Sequence, residues 1–509
     1  MQDETEIEEA RRRIQAAYDT DGFRALGHEL IDLLTGHLKS AGNSRRAVLP
    51  WREPEINVRE AESLLGAWRD SAIDSSSLGD HFGKIVRTML DRGINLHDPR
   101  YIGHQVPAPP PVAGLFDAVG AVTNQVMAIY EMGPWATAVE EAMVNRLGEE
   151  IGWRTGTFSG LSTHGGSLAN LTALLTARNV SLKDSWELGV SPHDPANPPV
   201  VVVHADAHYS VSRAVAVLGL GTRGVVKTRL DDRRRMDPAV LDDTLTMLRG
   251  RNQPVVAVVA CACATPIGAF DPLTEIAEVC RRHSVWLHVD AAHGGSVIFS
   301  DRHKHLVSGL KHADSVAWDA HKMMFAPALC AFVLYRDRSH RFEAFRQEAP
   351  YIFDPSVAGL LEYDVGLKTI ECTKRATAFG VWGLWALFGR RLFSDLVDVT
   401  FDLGQIFYHK LEAASDFEAL HEPECNILAF RHLPKGLVGM PGEVIGEFQL
   451  NLRRRLIESG EFYIVSTKID GIGALRVAIM NPLTTAVHFD QLLDALRVHG
   501  EKIDLQSQE

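Results

Sequence analysis

Asp314-Ser315-Val316-Ala317-Trp318-Asp319-Ala320-His321-Lys322 is the stretch on which this sequence turns. About one βαβ step upstream stands Trp286-Leu287-His288-Val289-Asp290-Ala291-Ala292-His293-Gly294-Gly295. In the first, a polar turn ends in lysine; in the second, an apolar strand ends in an acid. A lysine following a histidine is by itself an ordinary solvated charge. An acid and a lysine in this order are what pyridoxal phosphate chemistry requires. The amine forms a Schiff base with the cofactor aldehyde, and the carboxylate keeps the pyridine nitrogen protonated so that the ring can accept electrons.

The rest of the chain sets the frame. Its 509 residues are enough for a large core and two or three structural units, and its 46% hydrophobic and 23% charged residues are ordinary for a soluble globular protein. A net charge of -13 argues against nucleic acid as a partner. Arg233-Arg234-Arg235 and Arg453-Arg454-Arg455 are short basic runs with acids close by, and read as solvated faces. Met1-Gln2-Asp3-Glu4-Thr5-Glu6 is acidic and lacks the regions of a signal peptide, and no apolar run reaches the roughly twenty residues of a membrane span. A cytoplasmic protein with no membrane partner is expected.

Six cysteines in so long a chain do not form a disulfide framework. Cys261 and Cys263 alternate within the run 255–263, which reads as one buried strand with both thiols on one face. No second cysteine or histidine pair in the sequence completes a metal site, so packing is the expected role and no metal is expected. His288 and His293 flank Asp290 and invite the same thought, with the same answer.

Three segments are expected. Residues 1–97 are charged and helical in pattern (6–18, 23–38, 80–90), with an irregular stretch through Pro50 and Pro54. Such an arm has little core of its own and suits dimerisation. Residues 98–385 alternate apolar strand-like runs (200–204, 255–263, 285–289, 330–335) with helical ones such as 168–179. That alternation implies a mostly parallel central sheet with helices on both faces, an α/β fold. Residues 386–509 form a small C-terminal α+β domain containing strand-like runs at 426–430 and 475–479.

Two further motifs gain meaning from this frame. Ser162-Thr163-His164-Gly165-Gly166-Ser167-Leu168-Ala169-Asn170 ends a short turn and opens a helix. Gly-Gly-Ser there is an ordinary N-cap when alone; upstream of Asp290 and Lys322 it becomes a phosphate cradle, using free amides and the helix dipole. His208, just past the strand 200–203, sits where an open α/β sheet binds ligands. An imidazole there can stack on a cofactor ring and contact a substrate carboxylate.

With these residues in place the chain resembles the group II pyridoxal phosphate-dependent amino-acid decarboxylases, the family of the glutamate, cysteine sulfinate, aspartate and aromatic amino-acid decarboxylases. The resemblance runs from about Pro99 to Pro482. It is carried by Pro99-Arg100-Tyr101, Gly165-Gly166-Ser167, Ala207-His208, Thr265, His288 to Ala292, His321-Lys322, Tyr363-Asp364 and Leu475-Arg476. It implies a fold type I transferase-like architecture and a homodimer with active sites at the subunit interface. Lys322 then binds the cofactor aldehyde, Asp290 the pyridinium nitrogen, and His208 and Ala292 the two ring faces. Gly166, Ser167, Ser315 and His321 hold the phosphate, with Thr265 near the ring. Arg476 positions the substrate α-carboxylate. A mobile loop between Arg346 and Lys368 carries the proton donor Tyr363, with Tyr351 a second candidate read as packing. Asp319 departs from the asparagine of several family members. An anion facing phosphate is repulsive, so Asp319 is expected to turn away or pair with a cation.

The implied reaction is loss of carbon dioxide from an L-amino acid, followed by protonation of Cα by Tyr363 and release of an amine. An aminotransferase, a decarboxylation-dependent aldehyde synthase and a non-catalytic homologue are the rivals. Tyr363 disfavours the aldehyde synthase, and the intact set Lys322, Asp290 and His208 disfavours the non-catalytic homologue. The substrate is expected to be a short acidic amino acid (aspartate, glutamate or cysteine sulfinate), with aromatic and diamino acids as the alternatives. In Tyr101-Ile102-Gly103-His104-Gln105, His104 is expected to receive the distal acid.

Overall fold

The computed structural model describes residues 4–44, 46–66, 75–190, 196–345 and 361–503. The stretch 346–360 of the expected loop, with Tyr351, lies outside them.

The valine-rich runs form strands buried along their whole length, as parallel strands covered on both faces must be. The strands in chain order are β1 (Val126–Met127), β2 (Ser159–Thr163), β3 (Val200–His204), β4 (Val225–Thr228), β5 (Val255–Cys261), β6 (Trp286–Asp290), β7 (Ser315–Asp319), β8 (Ala331–Tyr335), β9 (Lys374–Arg375), β10 (Phe417–Ala419), β11 (Ile427–His432), β12 (Val465–Ile469) and β13 (Ile472–Ala478). The central sheet has seven strands in the order β2-β8-β7-β6-β5-β3-β4. β3 to β7 run parallel, and β8 is antiparallel to both of its neighbours. This is the α/β architecture expected. One face of the sheet is packed by the helices Pro134–Ile151, Pro238–Gly250 and Leu273–His283, through Val139, Leu147, Leu245 and Ile276. The other is covered by Gly166–Ser181 and Tyr209–Val215, through Ala173, Leu174 and Val211.

A second sheet, β10-β11-β13-β12, is antiparallel and closes over its own core with the helices Gly442–Ser459 and Ala486–Gly500. The helix Phe379–Ala413 leads from the central sheet to this unit, and breaks at Gly389, whose φ of 68° suits a residue without Cβ. Residues near the start of the expected large domain instead join the C-terminal unit. Tyr101 bridges Tyr463 in parallel, and Ile102 lies in the C-terminal core. At the N-terminus α1 (Glu4–Ala17), α2 (Thr20–Gly42), α3 (Pro54–Gly66) and α4 (Ser75–Arg92) are helical. The stretch at Pro54, expected to be irregular, starts α3, because proline at the first helical position costs no hydrogen bond.

Two further expectations are corrected. The segment before Gly165 is not a short turn but the strand β2, disguised by its Ser-Gly-Leu-Ser-Thr composition. Its polar groups are satisfied locally: Ser162 hydrogen-bonds Glu140, and the buried Lys374 ammonium donates to Ser162 O at 2.6 Å. The strand 255–263 stops at Cys261, whose amide donates to the Asp271 carboxylate at 2.7 Å. Cys263 therefore lies beyond the sheet, outside the period-two pattern that suggested a packing role. Among the described residues no helix is long and apolar enough to cross a membrane.

Candidate active site

The carboxyl ends of β3, β5, β6 and β7 open onto a cavity of about 270 Å³, at the edge where open α/β sheets bind ligands. Its walls include Gly166, Ser167, His208, Thr265, Asp290, Ala292, His321 and Lys322, brought together from five segments of the chain.

Asp290 ends β6 and is held by neighbours the sequence did not single out. Asn170 Nδ2 donates to Asp290 Oδ2 at 2.9 Å, and the amide of Ala292 donates to Oδ1 at 3.2 Å. Hydrogen bonds to a charged group are worth about 1.5–3 kcal/mol each, so this carboxylate is fixed before any ligand arrives. Behind it runs a buried chain. His288 Nε2 donates to Asn170 Oδ1 at 2.9 Å, His288 Nδ1 lies 2.9 Å from Ser315 Oγ, and Trp286 Nε1 donates to the same Oγ at 2.9 Å. Burial pushes the His288 imidazole down to about 4, so it stays neutral and can both donate and accept. This corrects the expectation for Ser315. It begins β7 rather than ending it, its hydroxyl is spent on the relay behind Asp290, and it does not line the cavity. Asn170 was missed although it stood in the quoted motif: one helical turn past Gly166 it faces the sheet, a position that helix periodicity could have flagged.

His208 caps the helix Tyr209–Val215 with Nδ1 accepting from the Ser210 amide at 3.3 Å, which leaves the proton on Nε2. Burial lowers its pKa despite the opposing pull of Asp290, so the ring is neutral. Gly165 has φ 103° and opens the helix Gly166–Ser181. A Cβ at Gly166 would stand 2.8 Å from Asp319 Oδ1, so no side chain fits there. The first amides of a helix have no intrahelical partners, and the glycines leave them accessible to an anion.

Lys322 Nζ lies 3.1 Å from Asp319 Oδ2. Burial works against the Lys322 ammonium, but Asp319 and then Asp290 outweigh it and hold the amine above its ordinary value. Asp319 thus pairs with a cation, as its repulsion from phosphate required. Its other oxygen, Oδ1, is buried without a hydrogen-bond partner beside Gly166. His321 Nδ1 donates to Cys330 O at 2.8 Å, which turns Nε2 towards the same carboxylate.

Arg476, in β13, is buried; its Nη2 donates to Gln105 Oε1 at 3.2 Å and its Nε has no partner. Burial lowers the Arg476 guanidinium to about 10. Gln105, not His104, reaches the cavity wall. His104 is exposed on this chain and lies against Tyr463 with ring centroids 5.7 Å apart. The chain bends at Gly103–Gln105, and with His104 packed against Tyr463 it is Gln105 that lines the cavity. Desolvation, then Arg476 and Arg453, lower the His104 pKa, and His104 stands outside the cavity wall, so the expectation that it receives the distal acid is not met by this chain's cavity.

Tyr363 does not join this cavity. It is 40% exposed and packs on Tyr130 with centroids 5.8 Å apart. The segment after it is tied down at three points: Asp364 Oδ1 accepts from the Tyr130 amide at 2.9 Å, Lys368 Nζ pairs with Glu141 at 3.1 Å, and β9 pairs with β1.

The residues fit pyridoxal phosphate on three counts: a lysine in the wall, a fixed carboxylate at a strand end, and a glycine cradle at a helix N-terminus. Asp319 is the one group that opposes the phosphate. Asp319→Asn should therefore bind the cofactor about tenfold more tightly at neutral pH, since it removes a buried anion and lets the Lys322 amine deprotonate. Equilibrium titration of the apoenzyme, followed by cofactor absorbance, checks this; weaker binding by the variant contradicts it.

A sheet-edge cavity with this lysine, acid and cradle defines a pyridoxal phosphate-dependent enzyme of fold type I. The pyridoxal-dependent decarboxylase conserved domain matches residues 85–433, and the chain belongs to that family; it is a carboxy-lyase with pyridoxal 5'-phosphate as its cofactor. It is 29% identical to rat cysteine sulfinic acid decarboxylase over 92% of this chain and 94% of that one. It is 30% identical to human acidic amino acid decarboxylase GADL1, over 89% and 86% of the two chains. The crystal structure of mouse CSAD superposes with a TM-score of 0.85 at 26% identity, covering 95% of this chain and all of the other.

Proposed function

We propose that the enzyme decarboxylates a short acidic L-amino acid (aspartate, cysteine sulfinate or glutamate) to the amine, with Lys322, Asp290, His208 and Tyr363 as its catalytic residues. The observation that carries this reading is the Lys322 amine in one cavity with the pre-set Asp290 carboxylate. Gly166, Ser167 and His321 hold the cofactor phosphate, Asp290 its ring nitrogen, Ala292 and His208 the ring faces, and Thr265 its edge. Bound there, pyridoxal phosphate supplies a ring that takes up the electron pair left when a bond to Cα breaks. Asp290 pairs with that ring's nitrogen, and the Asn170 and Ala292 donors hold its carboxylate in place. Arg476, with an unpartnered Nε, receives the α-carboxylate and thereby selects which bond at Cα is aligned for cleavage.

The acidic preference is supported by the similarity to the two acidic amino acid decarboxylases over most of the chain. It is also supported by the Arg476 guanidinium, whose Nη2 donates to Gln105 Oε1 at 3.2 Å in the cavity wall. In a homodimer Tyr363, outside its own chain's cavity, serves that of the partner subunit. The exposed apolar residues Ile7, Ile14, Tyr18 and Phe23 of the N-terminal helices suit such an assembly. Six free cysteines, five of them buried, suit the reducing cytoplasm.

Amine formation across the twenty standard amino acids and cysteine sulfinate tests the substrate. The highest kcat/KM is expected for aspartate, cysteine sulfinate or glutamate. An aromatic or diamino acid exceeding all three contradicts the proposal.

A further inference from the structure

Cys263, His293 and Cys425 arrive from three separate segments, just past β5, just past β6 and at the entrance to β11. Among the described residues they place two sulfurs and a ring nitrogen within 4.8 Å of one another, all buried. Cys263 and His293 line the cavity; Cys425 belongs to the C-terminal unit.

The imidazole is set up to ligate. His293 Nε2 lies 2.8 Å from Asn426 Oδ1, and the Asn426 amide is oriented by Nδ2 donating to Ile479 O at 2.9 Å. Nε2 therefore carries the proton and Nδ1 the lone pair, the arrangement that fixes the tautomer of a metal-bound histidine. Nδ1 is buried and has no hydrogen-bond partner. An unsatisfied buried acceptor costs about 1–3 kcal/mol, and packing alone gives no reason to retain one beside two thiols. Burial pushes the Cys263 thiol well above its ordinary value and the His293 imidazole down to about 3. Without a cation, burial thus favours the neutral forms of Cys263 and His293.

We propose that Cys263, His293 and Cys425 form a binding site for a soft divalent cation, Zn²⁺ or Cd²⁺, that clamps the C-terminal unit to the cavity wall and blocks turnover. Ligand atoms around a tetrahedral metal with these bond lengths stand about 3.5–3.8 Å apart, so atoms within 4.8 Å of one another need close by no more than about 1.3 Å. On binding, each thiol releases one proton to solvent. Two thiolates and one divalent ion leave no net charge, which suits a site near Lys322 and Arg476. Two thiolates also favour zinc and cadmium over magnesium or calcium. The fourth position faces the cavity, where a bound ion obstructs the substrate whichever amino acid that is.

The test uses holoenzyme carrying Cys372→Ser, because Cys372 is exposed and binds metals adventitiously. After loading with Cd²⁺ or Zn²⁺ and desalting, one metal per chain is expected to remain. The cadmium form should show the ultraviolet sulfur-to-metal charge-transfer band, and turnover should be lost until a chelator restores it. Adding Cys425→Ser, which touches neither cofactor nor substrate, should weaken metal binding by about tenfold or more and spare turnover. If that variant fails to fold, Cys425→Ala, apolar like its surroundings, takes its place, with cofactor absorbance reporting the folded state. No retained metal, or a charge-transfer band undiminished by either variant, overturns the site. Full turnover with metal bound overturns the inhibition.

Discussion

Lys322→Ala abolishes amine formation while leaving a folded chain. Lys322 carries the only primary amine among the described residues lining the cavity, the group that forms a Schiff base with the cofactor aldehyde, and losing it should lower kcat by at least about 10³-fold. The rest of the cavity does not depend on it. Asp290 is held by Asn170 and the Ala292 amide, and the Gly165–Gly166 turn by backbone conformation. The variant is therefore expected to retain the phosphate cradle and bind cofactor weakly and reversibly. Asp319 loses its partner at 3.1 Å, and a buried carboxylate left unpaired is destabilising. The unfolding midpoint should fall, and the double variant Lys322→Ala/Asp319→Asn should recover much of the loss without recovering activity. Circular dichroism and amine assay together check this. Appreciable turnover by the purified Lys322→Ala enzyme contradicts it.

Tyr363→Phe separates a decarboxylase from its chemical rivals. After carbon dioxide leaves, Cα must take a proton, and the Tyr363 phenol is the donor proposed for it. The ring is 40% exposed and rests on Tyr130, so replacing the hydroxyl by hydrogen leaves the packing intact. General acid catalysis is worth about 10²–10⁴-fold, and amine formation should fall on that scale. Reaction with oxygen then competes, and aldehyde with ammonia should appear beside the amine. Wild-type amine formation without aldehyde assigns the proton to another donor, His208 being next in line. With Tyr363 proposed to serve the partner's cavity, mixing Tyr363→Phe with Lys322→Ala subunits should restore activity in the mixed dimers.

The fold was legible in the sequence wherever burial repeats a simple pattern. The run Val200 to His204 and the run Val255 to Cys261 announced parallel strands because both faces of each are covered, so apolar residues are continuous. β2 was not legible, since its polar side chains find partners only in the fold: Ser162 in Glu140 and the distant Lys374, Ser159 in Arg338 O, and Thr163 in Gly165 O. The site followed the same division. Residues whose role needs a particular chemistry at a strand end, such as Asp290 and Lys322, stood out in the chain. Those whose role is to hold another residue did not: Asn170 acts through Asp290 and His288, and Ser315 through His288, contacts only the folded chain creates. His104 and Gln105 show the limit in the smallest space. Gly103 to Gln105 bend away from a regular strand, and which side chain points in depends on Tyr101 pairing with Tyr463 and His104 packing on it, contacts the sequence could not supply.

The central claim is that the cavity at the ends of β5, β6 and β7 holds the cofactor on Lys322. Borohydride reduction of the holoenzyme fixes the cofactor covalently to whichever amine carries it, and peptide mass spectrometry then finds the residue. The account predicts one phosphopyridoxyl group per chain, on the peptide containing His321 and Lys322, and none in Lys322→Ala. A label on any other lysine, or an unlabelled Lys322 in active enzyme, would contradict it.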